Sequence, residues 1–200
     1  VGALSSNENT YSSPTTKEAL LIAAKKVFAQ KGFDGATVKD IADEAGVNVS
    51  LVSYHYHGKE NLFRACVQAY GEKRLSATET FLKSPKSAED FRVRLTLFLE
   101  DYFINAIRDQ DTMIIMHREC MSSNPLTEDL FEGVFMKSIH KMIQFFTEAK
   151  IQKILRPDTE PHYLVMVIMG AIIHAIQMDE MHEQIFKYGL KDTKHREKLV

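Results

Sequence analysis

Residues 37–63, TVKDIADEAGVNVSLVSYHYHGKENLF, read as two short helices joined by a tight turn, and that reading decides the fold. Thr37 can cap a helix in reciprocal exchange with Asp40, three residues on. Ile41, Ala42 and Ala45 supply an apolar face at helical spacing, and Gly46 stands where the helix must stop in a left-handed turn. Val47 plugs the corner. Asn48 can cap a second helix, which carries Val52 and Tyr56 inward, four residues apart. The small Ala42 lets two helices joined by so short a turn cross closely. This is the pattern of a helix-turn-helix, whose second helix enters the major groove of DNA.

With Val52 and Tyr56 inward, Ser50 and Tyr54 lie on the far side of the second helix, flanked by Leu51, Ser53 and His55. Short hydroxyls near the helix start let the backbone approach the groove. Tyr54 and His55 can reach phosphates or base edges, and Leu51 a thymine methyl. A plain solvent-facing surface is the bland alternative. A leucine and two rings on so small an outer face argue against it.

Working outward, Pro14 and Thr15 open a preceding helix, with Glu18 completing a capping box. Leu20, Leu21, Ala24, Val27 and Phe28 form its inner stripe until Gly32. Downstream, Gly58 breaks the chain and Lys59 starts a long helix to about Leu82. Ser84-Pro85 interrupts, and Ser87 with Asp90 caps a helix whose stripe is Phe91, Leu95, Phe98, Leu99, Tyr102 and Phe103. A shorter helix covers about 111–122, and Asn124-Pro125 restarts the chain for one over about 127–153. Arg156-Pro157-Asp158 ends it, and an apolar helix over 160–179 follows. Valine and isoleucine recur at helical rather than alternating spacing, so no strand is expected and the fold class is all-α.

The ordered set Ala24, Phe28, Gly32, Thr37, Ile41, Ala42, Ala45, Gly46, Val47, Tyr54, Lys59, Glu60 and Leu62 resembles the TetR family of transcription regulators through residues 17–67. Beyond those residues the likeness is one of length and helical character. The resemblance implies a flexible arm over 1–13, a three-helix DNA-binding head over 14–60, and a helical body over 61–200 that dimerises and binds a small effector. It implies a cytoplasmic repressor, not an enzyme, that binds a palindromic operator in double-stranded DNA as a homodimer. It also implies that Thr37 and Lys59, at two helix starts, bind backbone phosphates, where helix N-termini favour anions. The candidate DNA-binding residues are therefore Thr37, Asn48, Ser50, Leu51, Ser53, Tyr54, His55 and Lys59. The chain departs from the family pattern at Val49 and Ser50, often basic or glycine, at Ser53, often tyrosine, and at His57, often lysine. Base preference cannot be carried over, and the phosphate contact at His57 is weaker or pH-dependent. Family members commonly carry a full helix where KDTKHREKLV stops after two or three turns, which suggests truncation there.

Composition neither supports nor opposes DNA binding. The net charge is −2, and residues 15–65 hold seven Lys/Arg against six Asp/Glu, so affinity must rest on a few placed cations, backbone amides and dimerisation. Cys66 and Cys120 sit in helical patterns without C-x-x-C pairing and read as reduced, buried thiols. The opening VGALSSNENTYSSP has no basic segment followed by an apolar run, so it does not read as a signal peptide. Residues 163–178 carry no charge, but sixteen residues fall short of the ~20 that cross a bilayer, so no membrane span is expected. Asp179, His182 and Glu183 share a helical face with His174 two turns upstream. One Asp-x-x-His pair is not a metal site, and a solvated helix end explains it. Phosphate-loop, dinucleotide and nucleophile-elbow motifs are absent, and no cofactor is implied. The rival reading is an all-α metal-binding or enzymatic bundle with the helix-turn-helix as an interaction module.

Two further sets complete the expectations. Phe98, Tyr102, Met113, Met116, His117, Met121, Phe135, Ile139 and Met142 are placed to line one cavity between helices, with Tyr102 and His117 as its polar members. The family resemblance makes that cavity the seat of a small, mostly apolar effector. Tyr163, Val167, Gly170 and His174 form one stripe of the apolar helix, with Leu164, Ile168 and Ile172 facing its own body. That stripe is the expected dimer interface, with a neighbouring helix, that after Asp192, completing a four-helix arrangement.

Overall fold

The computed structural model describes residues 14–121 and 125–199, without the side chains of residues 119–121. The arm expected over 1–13 and the side chains of Cys120 and Met121 lie outside these. Among the described residues the fold is all helical, without a strand.

Three helices build the head: α1 (Thr16–Gly35), α2 (Val38–Ala45) and α3 (Ser50–Tyr56). Their ends follow the capping signals. Thr15 and Glu18 form the reciprocal box that starts α1, and Thr37 and Asp40 form the one that starts α2. Gly32 breaks α1 at φ 73°, and Gly46 stops α2 at φ 66°, both backbone states that a Cβ disfavours. Asn48 starts α3, its Oδ1 accepting the Ser50 N–H at 2.9 Å while its carbonyl accepts from Leu51.

The helix α4 (Lys59–Phe81) then leaves the head and enters the body without a break. The head's buried cluster continues through Leu62, Phe63, Cys66 and Val67 of α4, so the boundary expected at residue 60 falls inside a continuous helix and a continuous core. The body adds α5 (Ala88–Arg108), started by Ser87, whose Oγ accepts the Asp90 N–H, and α6 (Gln110–Met121). The helix expected over 127–153 is not uniform. A short α7 (Glu128–Leu130) passes into a π-helical stretch, Phe131–Phe135, before α8 (Met136–Ile151). Gly71 of α4 faces that stretch: a Cβ there would stand 3.0 Å from Val134 and 3.1 Å from Phe135. Bare backbone at residue 71 lets the π segment pack directly on α4.

The apolar helix α9 (Pro161–Gln177) ends earlier than expected. It bends by 64° into α10 (Asp179–Phe186), so His174 does not share a face with Asp179, His182 and Glu183. Asp179 instead accepts the Leu190 N–H at 2.6 Å and anchors the turn into α11 (Thr193–Leu199). Arg196 ties α11 back onto its own body, donating to the Leu190 and Lys191 carbonyls and pairing with Glu100. No single described helix is long and apolar enough to cross a membrane, and no described cluster of His, Cys, Asp or Glu could hold a metal ion.

Candidate DNA-binding face and ligand cavity

Val52 is fully buried under α3, and Tyr56 is nearly so, its hydroxyl donating to the Lys17 carbonyl at 2.8 Å. That contact sets the roll of α3 and turns Ser50, Ser53 and Tyr54 outward. Tyr54 is 75 % exposed, its ring edge-on to His55 with 4.9 Å between centroids. Asn48 and Thr37 are exposed at the starts of their helices. Five of the eight expected residues, Thr37, Asn48, Ser50, Ser53 and Tyr54, are thus exposed, and His55 is half-buried.

Two placements correct the expectation. Leu51 is half-buried and packs on the head's core instead of standing free. Lys59 does not point outward as a phosphate cation: its ammonium donates to the Phe33 and Ala36 carbonyls at 2.9 and 3.0 Å and rests 4.3 Å from the Phe33 ring centroid. The end of α1 leaves carbonyls without helical partners, and Lys59 satisfies that local demand. Lys39, exposed in the first turn of α2, is a cation that the family pattern did not single out. Asp40 is held at about 2, well below the usual carboxylate range, by the Lys31 ammonium and by the Thr37 hydroxyl and N–H.

The head is bound to α6 as well as to α4. Arg118 donates to the Phe28 and Ala29 carbonyls at 3.0 Å each, taking up acceptors near the end of α1. At the other end of α6, Lys25 pairs with Asp109 at 2.7 Å. Burial would raise the Asp109 carboxyl, but Lys25 and Thr112 outweigh it and keep it below its ordinary value. Cys66 lies inside this junction, its thiol pushed up to about 12 by burial, which makes it an inert apolar filler.

On its other side α6 walls a cavity of about 370 Å³ between α4, α5, α8 and α9. Phe98, Tyr102, His117, Phe135, Ile139 and Met142 all line it, as do Met113 and Met116. Sequence spacing located this set because each residue falls on the inner stripe of its own helix. His117 differs in role: it is exposed at the rim, 2.6 Å from Gln177 of α9, and bridges two walls instead of standing inside. Nine lining residues were missed, among them Tyr70 and Thr78 of α4, Met169 and Ile176 of α9, and two polar residues that matter for the chemistry. Arg74 of α4 is 5 % exposed, pairs through Nη2 with Asp101 at 2.5 Å, and lies 4.8 Å from the Tyr102 ring centroid. Ser138 of α8 is buried beside Ile139. The signal for Arg74 was its spacing, four residues from Tyr70 and four from Thr78 on the inward stripe of α4.

Tyr163, Val167, Gly170 and His174 are all exposed on α9, with Val167 at 69 %, while Val165 and Ile172 turn into the body. Met166 extends the stripe, and Met181, Ile185 and Phe186 of α10 add exposed apolar surface beyond the bend.

A helix-turn-helix head joined by a shared helix to a helical body with an internal cavity is the architecture of a DNA-binding regulator. Residues 17–66 match the sequence profile of the bacterial regulatory proteins, tetR family, and the chain is similar to transcriptional regulators of that family. It is 25 % identical over 174 residues to the "Probable HTH-type transcriptional regulator YttP" of Bacillus subtilis (strain 168), across 86 % of this chain and 83 % of the relative. The fold is shared with the fatty acid degradation regulator FadR from Bacillus halodurans, with TM-score 0.72, 18 % identity and 90 % of both chains covered. It is shared too with FadR from Bacillus subtilis in complex with stearoyl-CoA, with TM-score 0.70, 20 % identity, and 86 % and 90 % of the two chains covered. These relatives are regulators and not enzymes, which sets aside the metal-binding or enzymatic bundle.

Proposed function

We propose that this regulator is a cytoplasmic repressor that binds a palindromic operator as a homodimer and is released by a small, mostly apolar effector. The observation that carries the reading is that two walls of the cavity, α4 and α6, are the two helices bonded to the head. From Lys59 to Arg74 along α4 is about 22 Å at ~1.5 Å per residue, so a small tilt at the cavity moves the head appreciably. Arg118 carries the same motion from α6 into α1. A ligand that fits one tilt better than the other shifts the population between them. Half-sites lie about 34–36 Å apart, so a displacement of a few ångströms at each head costs contacts on both.

Dimerisation through α9 and α10 would cover the stripe at Tyr163, Val167, Gly170 and His174, with α10 in place of α11 as the companion surface. On the DNA side, Ser50, Ser53 and Tyr54 would read base edges and phosphates, and Thr37, Asn48 and Lys39 would hold the backbone. The fold neighbour bound to stearoyl-CoA supports an apolar ligand in a body of this kind. To test the reading, operator sequences are selected from random duplexes and the winner is bound by the full chain with and without apolar probes. Twofold symmetry in the selected site, and release by a probe that Tyr102→Ala no longer answers, are the expected results. Selected sequences without symmetry, or release that survives Tyr102→Ala and Phe98→Ala alike, would count against it.

A further inference from the structure

The cavity wall is apolar except at a few points, and one of them is chemically incomplete. Among the described lining residues Arg74 is the one Lys or Arg, and no Asp or Glu lines the cavity. The Arg74 Nη2 is satisfied by Asp101, but Nε and Nη1 are buried with no hydrogen-bond partner. The Ser138 hydroxyl is buried in the same wall, also without a partner. Buried donors are nearly always satisfied, and leaving a charged one open is costly. Three unfilled polar atoms at one apolar cavity mark the place of a ligand's acceptors.

We infer that the effector is an amphipathic monocarboxylate, its apolar part filling the cavity and its carboxylate accepting from Arg74 and the Ser138 hydroxyl. This rests on the reading of the cavity as the effector site. A carboxylate brings two charged acceptor oxygens, which suits a guanidinium with open donors. The Asp101 side chain is 28 % exposed and also accepts from Asn105 Nδ2, so solvent and Asn105 share its charge while Arg74 stays inside. That leaves Arg74 room for one further negative charge. A phosphate ester would bring nearly two charges close to Asp101 and meet only one guanidinium and one hydroxyl. At ~30 Å³ for each water-sized group, the cavity holds roughly twelve non-hydrogen atoms. A ligand on Arg74 also competes with Asp101 and loosens the tie between α5 and α4, the helix that continues from the head.

Isothermal titration of the full chain with decanoate and 4-phenylbutyrate, each against its alcohol, decanol and 4-phenylbutanol, tests the assignment. At least one acid should bind roughly tenfold or more tightly than its alcohol, the range for charge-assisted hydrogen bonds. In Arg74→Met that preference should vanish, with acid and alcohol falling within about threefold of each other. Equal binding of acid and alcohol by the wild type, or a preference that survives Arg74→Met, overturns the carboxylate assignment and leaves the apolar effector site standing. Failure of all four probes to bind overturns both. If Arg74→Met does not fold, Ser138→Ala and Asp101→Asn decide. Ser138→Ala should weaken acid binding and Asp101→Asn should strengthen it, and the reverse pair of results rejects the inference.

Discussion

The head and the body spend their apolar residues differently. In the head, Leu20, Phe28, Ile41, Val52, Leu62 and Val67 are all without exposed surface, and Phe28 sits edge-on to Phe63 with 5.0 Å between centroids. In the body, the side chains of Phe98, Tyr102 and Met142 are also buried but surround open space, and α9 leaves large apolar groups uncovered. A domain that must hold a fixed face to a rigid duplex is filled. A domain that must hold something else is left incomplete on the inside and on one outer face. The difference teaches that burial alone does not distinguish a core from a pocket; the atoms on the far side of each residue do.

The contrast breaks most visibly in stability. Phe28→Ala should cost about 3–5 kcal/mol, the range for deleting a ring from a filled core. Met142→Ala, which only enlarges space already present, should cost about 2 kcal/mol, the low end for that change. Urea denaturation of both variants checks this, and equal losses would mean that the body is packed as tightly as the head. Next in size is the outer face. A Cβ at Gly170 meets nothing within 4 Å in the single chain, so Gly170→Arg should leave the fold intact. It should nevertheless yield monomers in sedimentation and lower operator affinity by roughly 10²-fold, the scale of losing linked half-sites. A Gly170→Arg dimer would move the interface elsewhere, with α8 the next candidate.

Within the head, two residues that sequence pattern treats alike should separate. Tyr54→Ala should leave stability within about 0.5 kcal/mol, since the ring is exposed, and weaken specific binding by about 1–3 kcal/mol. Lys59→Ala should instead cost about 1–2 kcal/mol of stability, because two carbonyls at the end of α1 lose their donor, and should barely change the salt slope of DNA binding. An unchanged melting point with a shallower salt slope would return Lys59 to the phosphates. The smallest effect is at acid pH. The folded state holds Asp40 at about 2 against an ordinary 3.8, so its contribution is complete above about pH 4 and is lost as pH falls from there toward 2. NMR titration of the Thr37 amide should report a midpoint near the lower end of that window, and a midpoint near 4 would mean that the cap and the Lys31 pair contribute nothing.

What could be read from sequence was local. Thr15 with Glu18, Thr37 with Asp40 and Ser87 with Asp90 mark helix starts because each pair closes within three residues, whatever surrounds it. Gly46 ends α2 because its own backbone state excludes a Cβ. About half of the cavity wall was legible for a similar reason, since side chains one helical turn apart share a face and a body of packed helices turns those faces together. Tertiary structure alone decided the rest. Lys59 turns inward because the carbonyls it serves lie on another helix, and Leu51 is covered because α3 rolls to seat Tyr56 on Lys17. Arg74 meets Asp101 across 27 residues, and the open donors that define the cavity's chemistry exist only because α5 offers one carboxylate where the guanidinium could use more. Spacing along a chain determines which residues share a face; which atoms on that face go unanswered depends on the helix placed opposite.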